Sequence, residues 1–259
     1  GSFVLRVEDN GRTVVSSTGF ANPVVDGSSL SLEMVPVAGS ISGGVHVTTG
    51  STVDRSDEAL VAATPPGGVG TNVSVHGSQY TIDPAAAGTW QLDYRSVAGS
   101  NLVPAPGQTA ATQFVGPAQA VAMPVAEYWD LAAVDVSLED TNHDPIAAYT
   151  SGNNHFPSVA FAQSPAVVSY PLWADRTVVA DAGHALFDRL SVDTVDPANT
   201  LVHYTFGVSA PGYEIDTATY EVFEDGGTTP IASGTDVTTI SVDVKSGTRL
   251  QVKIVLPSF

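Results

Sequence analysis

Thr219-Tyr220-Glu221-Val222-Phe223, Thr239-Ile240-Ser241-Val242-Asp243-Val244 and Arg249-Leu250-Gln251-Val252-Lys253-Ile254-Val255 share one pattern, in which apolar and polar residues alternate. Successive side chains of an extended strand point to opposite faces, so a period of two sends one face into a core and the other into water. An amphipathic helix would instead repeat its apolar residues every three or four positions. Leu201-Val202-His203-Tyr204-Thr205-Phe206-Gly207-Val208 supplies a fourth strand, and Asp225-Gly226-Gly227 marks the sharpest turn. These four strands predict a β-sandwich over residues 186–259.

The same pattern reaches the other end of the chain. Phe3-Val4-Leu5-Arg6-Val7 alternates, Asn10-Gly11 is a strong hairpin turn, and Thr13-Val14-Val15 resumes the strand. Leu30-Ser31-Leu32-Glu33-Met34-Val35, Val45-His46-Val47, Val73-Ser74-Val75-His76 and Trp90-Gln91-Leu92-Asp93-Tyr94 continue the alternation. Only residues 56–63, Ser-Asp-Glu-Ala-Leu-Val-Ala-Ala, read as a turn or two of helix, with Ser56 as N-cap and a proline just beyond. Pro104, Pro106 and Gly107 predict a linker after residue 103. Residues 114–182, with six prolines from Pro117 to Pro171, read as an irregular β region that excludes long helices. The expected organisation is therefore all-β, in two or three antiparallel sandwich domains of immunoglobulin-like or jelly-roll-like type: 1–103, 114–182 and 186–259. The first and last strands, residues 3–7 and 250–259, are expected on sheet edges, where free backbone groups serve as docking sites.

Composition narrows the class. The 259 residues are 43% hydrophobic and only 14% charged, which marks a folded chain whose surface is polar through Ser, Thr, Asn and Gly. Nine Lys and Arg against 27 Asp and Glu give a net charge of −18. Nucleic-acid affinity rests on clustered Lys and Arg, so nucleic acid is a poor partner, and anionic membrane surfaces are disfavoured for the same reason. No apolar run approaches the roughly 18 residues that span a bilayer, so no membrane insertion is expected. The absence of cysteine excludes disulfides, thiolate zinc sites and a cysteine nucleophile. The opening Gly1-Ser2-Phe3 lacks methionine, which indicates a processed start or a tag scar.

Asp83-Pro84-Ala85-Ala86-Ala87-Gly88-Thr89-Trp90-Gln91-Leu92 resembles the closing strand of accessory β-domains found beside secreted bacterial hydrolases and in surface proteins. Residues 220–255 resemble the later strands of immunoglobulin-like or fibronectin-type-III-like repeats. These resemblances imply a scaffold, spacer or binding module of bacterial, archaeal or viral type, and bring no active site with them.

Three patterns point to chemistry. Asp140-Thr141-Asn142-His143-Asp144 places Asp140, Asn142 and Asp144 at alternating positions, as oxygen ligands wrap calcium, although Pro145 stands where a calcium loop turns on glycine. The competing reading is a turn whose side chains cap their own backbone. Tyr128, Trp129 and Trp173 head a concentration of aromatics that would stack on sugars if exposed and form a core if buried. Asp130 and Asp135 flank an apolar run near Tyr128-Trp129, and an aromatic beside two acids suits a sugar-cleaving site; the competing reading is a solvated strand edge. Neither a Gly-x-Ser-x-Gly elbow nor a His-Glu-x-x-His helix nor a phosphate-binding loop occurs.

The expected function is a non-catalytic structural or adhesive component of a cell surface, extracellular filament or virion. Its expected partners are other protein subunits, copies of itself or surface glycans. The alternatives are a carbohydrate-binding or polysaccharide-processing module and an accessory domain of a secreted hydrolase.

Overall fold

The computed structural model describes residues 12–18, 31–146, 157–164, 175–190, 192–193 and 195–258. Their chain contacts divide into two units. One takes residues up to His46, Ser56–Val97 and Pro104–Glu127; the other takes Val47–Arg55, Ala98–Val103 and everything from Tyr128 onward. Each unit is therefore assembled from discontinuous stretches of chain.

The strands of the first part are β1 (Arg12–Thr18), β2 (Ser31–Pro36), β3 (Gly39–Thr48), β4 (Ala59–Thr64), β5 (Thr71–Ser74), β6 (Gln79–Ala85), β7 (Gly88–Ser96), β8 (Leu102–Pro104), β9 (Ala110–Val115), β10 (Ala120–Ala122) and β11 (Ala126–Asp130). β1 and β2 form a two-stranded antiparallel ribbon. One four-stranded sheet runs β5-β4-β7-β9; a second sheet runs β10-β3-β11-β8, with β6 also paired to β3. Inward positions recur every second residue, as in Ala59, Val61 and Ala63 of β4 and Trp90, Leu92 and Tyr94 of β7, all buried. Tyr80 on β6 meets Tyr94 on β7 edge-on, with ring centroids 6.5 Å apart and hydroxyls 3.2 Å apart, so this pair joins the two sheets. Gly43 makes room for it, because a Cβ there would lie 2.5 Å from the nearest atom of the Tyr80 ring.

The second unit holds β12 (Ala132–Glu139), β13 (Ser158–Ser164), β14 (Asp175–Val179), β15 (His184–Leu190), β16 (Leu201–Ser209), β17 (Thr219–Glu224), β18 (Ala232–Gly234), β19 (Ile240–Lys245) and β20 (Leu250–Val255). One sheet has the order β15-β12-β20-β17-β18 and the other β14-β13-β16-β19. Their inner faces share one core, with Val134, Val136, Leu138, Val252 and Ile254 from the first sheet and Phe161, Tyr204 and Phe206 from the second. Phe161 centres the aromatics, with ring centroids 5.1 Å from Phe187, 5.3 Å from Tyr204 and 5.4 Å from Phe206. Each such ring or aliphatic side chain contributes about 1.5–3 kcal/mol by leaving water. Most ladders are antiparallel; β3 with β10 and β12 with β20 are parallel.

The all-β sandwich expectation describes this architecture, but several local readings differ. Residues 114–182 are not a separate domain: β9 closes a sheet with β7, while β12 and β13 pair with β20 and β16 far along the chain. Proline density and irregular spacing predict a separate region, but strand pairing, invisible in linear order, decides where it belongs. Residues 56–58 form a single 3-10 turn, and Ala59–Thr64 is a strand whose alternate residues are buried. Alanine's helix preference is a few tenths of a kcal/mol per residue and yields to sheet packing. The final strand is not an edge either, since β20 lies between β12 and β17. Residues 3–7 lie outside the described residues.

Candidate functional site

The most heavily buried charge sits where β11 ends. Asp130 is fully buried, and its Oδ1 accepts from Arg249 Nε at 2.9 Å and Nη2 at 2.6 Å. Arg55 Nε stands 3.6 Å from Oδ2 of Asp130, and Arg55 Nη2 donates to Asp225 Oδ2 at 2.5 Å. All four residues belong to the second unit. The cluster ties segment 47–55, the approach to β12, the start of β20 and the turn after β17 together. Next to it the β19–β20 turn is buried at Ser246 and Thr248, and Gly50 N donates to Ser246 O at 2.9 Å. Only glycine fits at position 50, since a Cβ would lie 2.8 Å from the Pro197 carbonyl oxygen and collide with that of Ser246.

Asp130 and Asp135 therefore do not converge. Asp135 faces outward from β12 and pairs with His184 Nδ1 at 3.3 Å. Three more exposed His–carboxylate pairs span short distances: His46–Glu127 at 2.6 Å, His203–Asp243 at 2.8 Å and His143–Glu139 at 3.1 Å. His203 and Asp243 are register partners on β16 and β19, so that pair ties adjacent strands. Glu139 also meets Lys253 at 3.0 Å. Partial shielding from water alone would raise the Glu139 carboxyl, but bonds from Lys253 and His143 outweigh it and hold the group below its ordinary value.

In the acidic loop, Asp140 Oδ1 accepts from the backbone N–H groups of Asn142 at 2.7 Å and Asp144 at 3.1 Å. Those bonds, led by the one from Asp144, lower its carboxyl pKa. Asp140 N donates to Asp144 O, which closes the turn. Calcium at Asp140, Asn142 and Asp144 would have to compete with these backbone bonds for the Asp140 oxygen. Among the described residues, no group of three or more His, Asp or Glu side chains is gathered to hold a metal ion.

Tyr128 is fully buried and offers no ring face to solvent, Trp129 is half-buried, and Trp173 lies outside the described residues. Parity explains the burial: Ala126, Tyr128 and Asp130 occupy the inward positions of β11. The surface has two shallow depressions of note. One, of about 450 Å³, lies on the outer face of β13, β14 and β16 among Ala160, Ala162, Thr177, Thr205 and Gly207, with no ionisable side chain among the described residues that line it. The other, of about 280 Å³, lies over β17, β18 and β20, with Tyr220, Glu221, Ser233, Thr235 and Lys253 in its walls. Sequence reasoning missed this second groove, because its residues come from three strands and look like ordinary solvent-facing positions. It also missed Arg55 and Arg249 as partners of Asp130, 75 and 119 residues distant (130 − 55 and 249 − 130). Tyr204 is fully buried, which pushes its phenol pKa up, and its hydroxyl finds no hydrogen-bond partner among the described residues.

No protein-family model matches the chain, and no curated protein matches it. Solved structures that the chain matches at low similarity include the Bacillus anthracis TIE protein, 10% identical over 84% of this chain and 47% of that one, at a TM-score of 0.31. The chain thus spans about half the length of that protein. The major pilin protein (T-13) from Streptococcus pyogenes is 9% identical over 87% of this chain and 98% of that one, at a TM-score of 0.29. The C-terminal fragment of the pilus adhesin SpaC from Lactobacillus rhamnosus GG is 10% identical over 86% and 98%, at 0.30. Superpositions this loose carry no function across, and the fold assignment rests on the sheets themselves. No helix among the described residues is long and apolar enough to cross a membrane.

Proposed function

We propose that this chain is a non-catalytic structural or adhesive module of a cell surface, extracellular filament or virion, and that it acts by contact with other protein subunits. The observation that carries this reading is where its ionisable groups go. Asp130, Arg249, Arg55 and Asp225 join chain segments, and His203–Asp243, His184–Asp135, His46–Glu127 and Glu139–Lys253 tie neighbouring strands. A catalytic site instead aims perturbed acids and bases at a shared cavity. The sheet edges fit a protein that controls its contacts: β18 has three residues, the β12–β15 ladder carries a bulge, and edge strand β19 presents Asp243 and Lys245. Light scattering after size exclusion, together with a surface-binding assay on the intact chain, tests the proposal. Ordered self-association or retention on a cell surface supports it; a dispersed monomer that turns over a polysaccharide or ester refutes it.

The groove beside Tyr220 favours carbohydrate binding as a second reading, because an aromatic ring there adjoins hydroxyl, carboxylate and ammonium groups. A glycan array probed with the chain and with Tyr220→Ala tests it, and binding that survives the substitution removes this groove from consideration.

A further inference from the structure

The pairing of β12 with β20 has a mechanical consequence. β12 is the first whole strand after the chain returns to the second unit at Tyr128, within β11, and β20 is the last strand of that unit. They are parallel, in unbroken register from Val134↔Leu250 to Glu139↔Val255. Tension that enters before β12 and leaves after β20 pulls the two strands in opposite directions along their own axes. Every inter-strand bond of the ladder then carries load at once. Unzipping, by contrast, breaks a ladder one pair at a time.

We infer that β12 and β20 form a shear clamp and that the second unit bears tensile load. This inference rests on the structural role proposed above and deepens it. Three further observations converge on the same two strands. Both lie inside their sheet, β12 against β15 and β20 against β17, so neither can peel sideways into solvent. Their inward side chains, Val134, Val136, Leu138, Leu250, Val252 and Ile254, are at most 2% exposed, and a one-residue slip would turn them all outward. Ion pairs clip both ends of the ladder. Asp130, two residues before β12, is gripped by Arg249, the residue before β20, and Glu139 at the far end meets Lys253. The buried pair is protected from the solvent screening that weakens exposed pairs.

Single-molecule force spectroscopy on the intact chain tests the clamp, and the lack of native cysteine makes introduced thiols unique handles. Handles at Glu127→Cys and Ser258→Cys load the ladder in shear. Handles at Asn142→Cys and Ser258→Cys pull on the two adjacent C-terminal ends and unzip it. Forced unfolding reports the barrier to leaving the native state, so the shear geometry is expected to rupture at about two- to six-fold higher force, the upper figure being the limit in which all the registered pairs share load. Should Glu127→Cys disturb folding by circular dichroism, Trp129→Cys supplies the same load path. Equal rupture forces in the two geometries overturn the clamp. A chain that fails this test yet still assembles or adheres loses only the clamp; a chain that passes it but neither assembles nor adheres loses the structural role and keeps the clamp.

Discussion

Asp130→Ala is the sharpest test of how the second unit holds together. The carboxylate is fully buried and accepts two bonds from Arg249, at 2.9 and 2.6 Å, while the Arg55 guanidinium stands 3.6 Å from its other oxygen. Both arginines are nearly buried, at 12% and 11% side-chain exposure, and Asp225, at 31%, also pairs with Arg55. Truncating Asp130 removes the fully buried carboxylate that both guanidiniums face in this shielded site. Removing one partner of a buried pair costs about 3–5 kcal/mol, mostly through the charge left uncompensated. Domains are stable by about 5–15 kcal/mol, so this single change should remove a large share of the unit's stability. Urea denaturation at neutral pH, followed by tryptophan fluorescence and circular dichroism, measures the loss. The combined Asp130→Leu/Arg249→Met chain should recover part of it, because it removes the orphaned charge and fills the same volume. A loss below about 1 kcal/mol for Asp130→Ala would refute the reasoning, since that is the size expected of an exposed pair.

Four other outcomes are expected. Gly50→Ala should destabilise the second unit by several kcal/mol in thermal melts, because its Cβ would meet the Ser246 carbonyl in a packed turn, and a melting temperature within a degree or two of the parent would contradict that. Deleting residues 250–258 removes the strand between β12 and β17, so the second unit should lose its native spectrum instead of merely losing an edge. Asp193 has a lowered carboxyl pKa, held down by the Thr200 hydroxyl first and the Val195 N–H next. A lowered folded pKa contributes stability above the unfolded value of about 4 and loses it as pH falls through the folded one, so Asp193→Asn should be less stable than the parent at pH 7 and the gap should close in acid. Chelation should leave the melting curve unchanged, because the Asp140 carboxylate is engaged by the backbone of its own turn; a calcium-dependent rise would reinstate Asp140, Asn142 and Asp144 as ligands.

The sequence by itself determined that this chain is a strand-built protein and which face of most strands turns inward. Val202, Tyr204 and Phe206 on β16, and Leu250, Val252 and Ile254 on β20, are buried as their period of two requires. Alternation is a local property, written within a few residues and dictated by backbone geometry. The turn glycine of Asp225-Gly226-Gly227 was legible for the same reason, and Gly226 has φ +82°. Tertiary structure alone decided which strand lies beside which. β12 finds β20 across more than a hundred residues, two inserted segments join a unit that otherwise begins at Tyr128, and β20 becomes an interior strand. It also decided what Asp130 is for: the same aspartate would be a solvated edge residue or half of a catalytic pair until Arg55 and Arg249 arrive from distant parts of the chain. Pairing partners and buried charge clusters are set by the shared core that long-range folding creates, and nothing within a strand's own few residues specifies them.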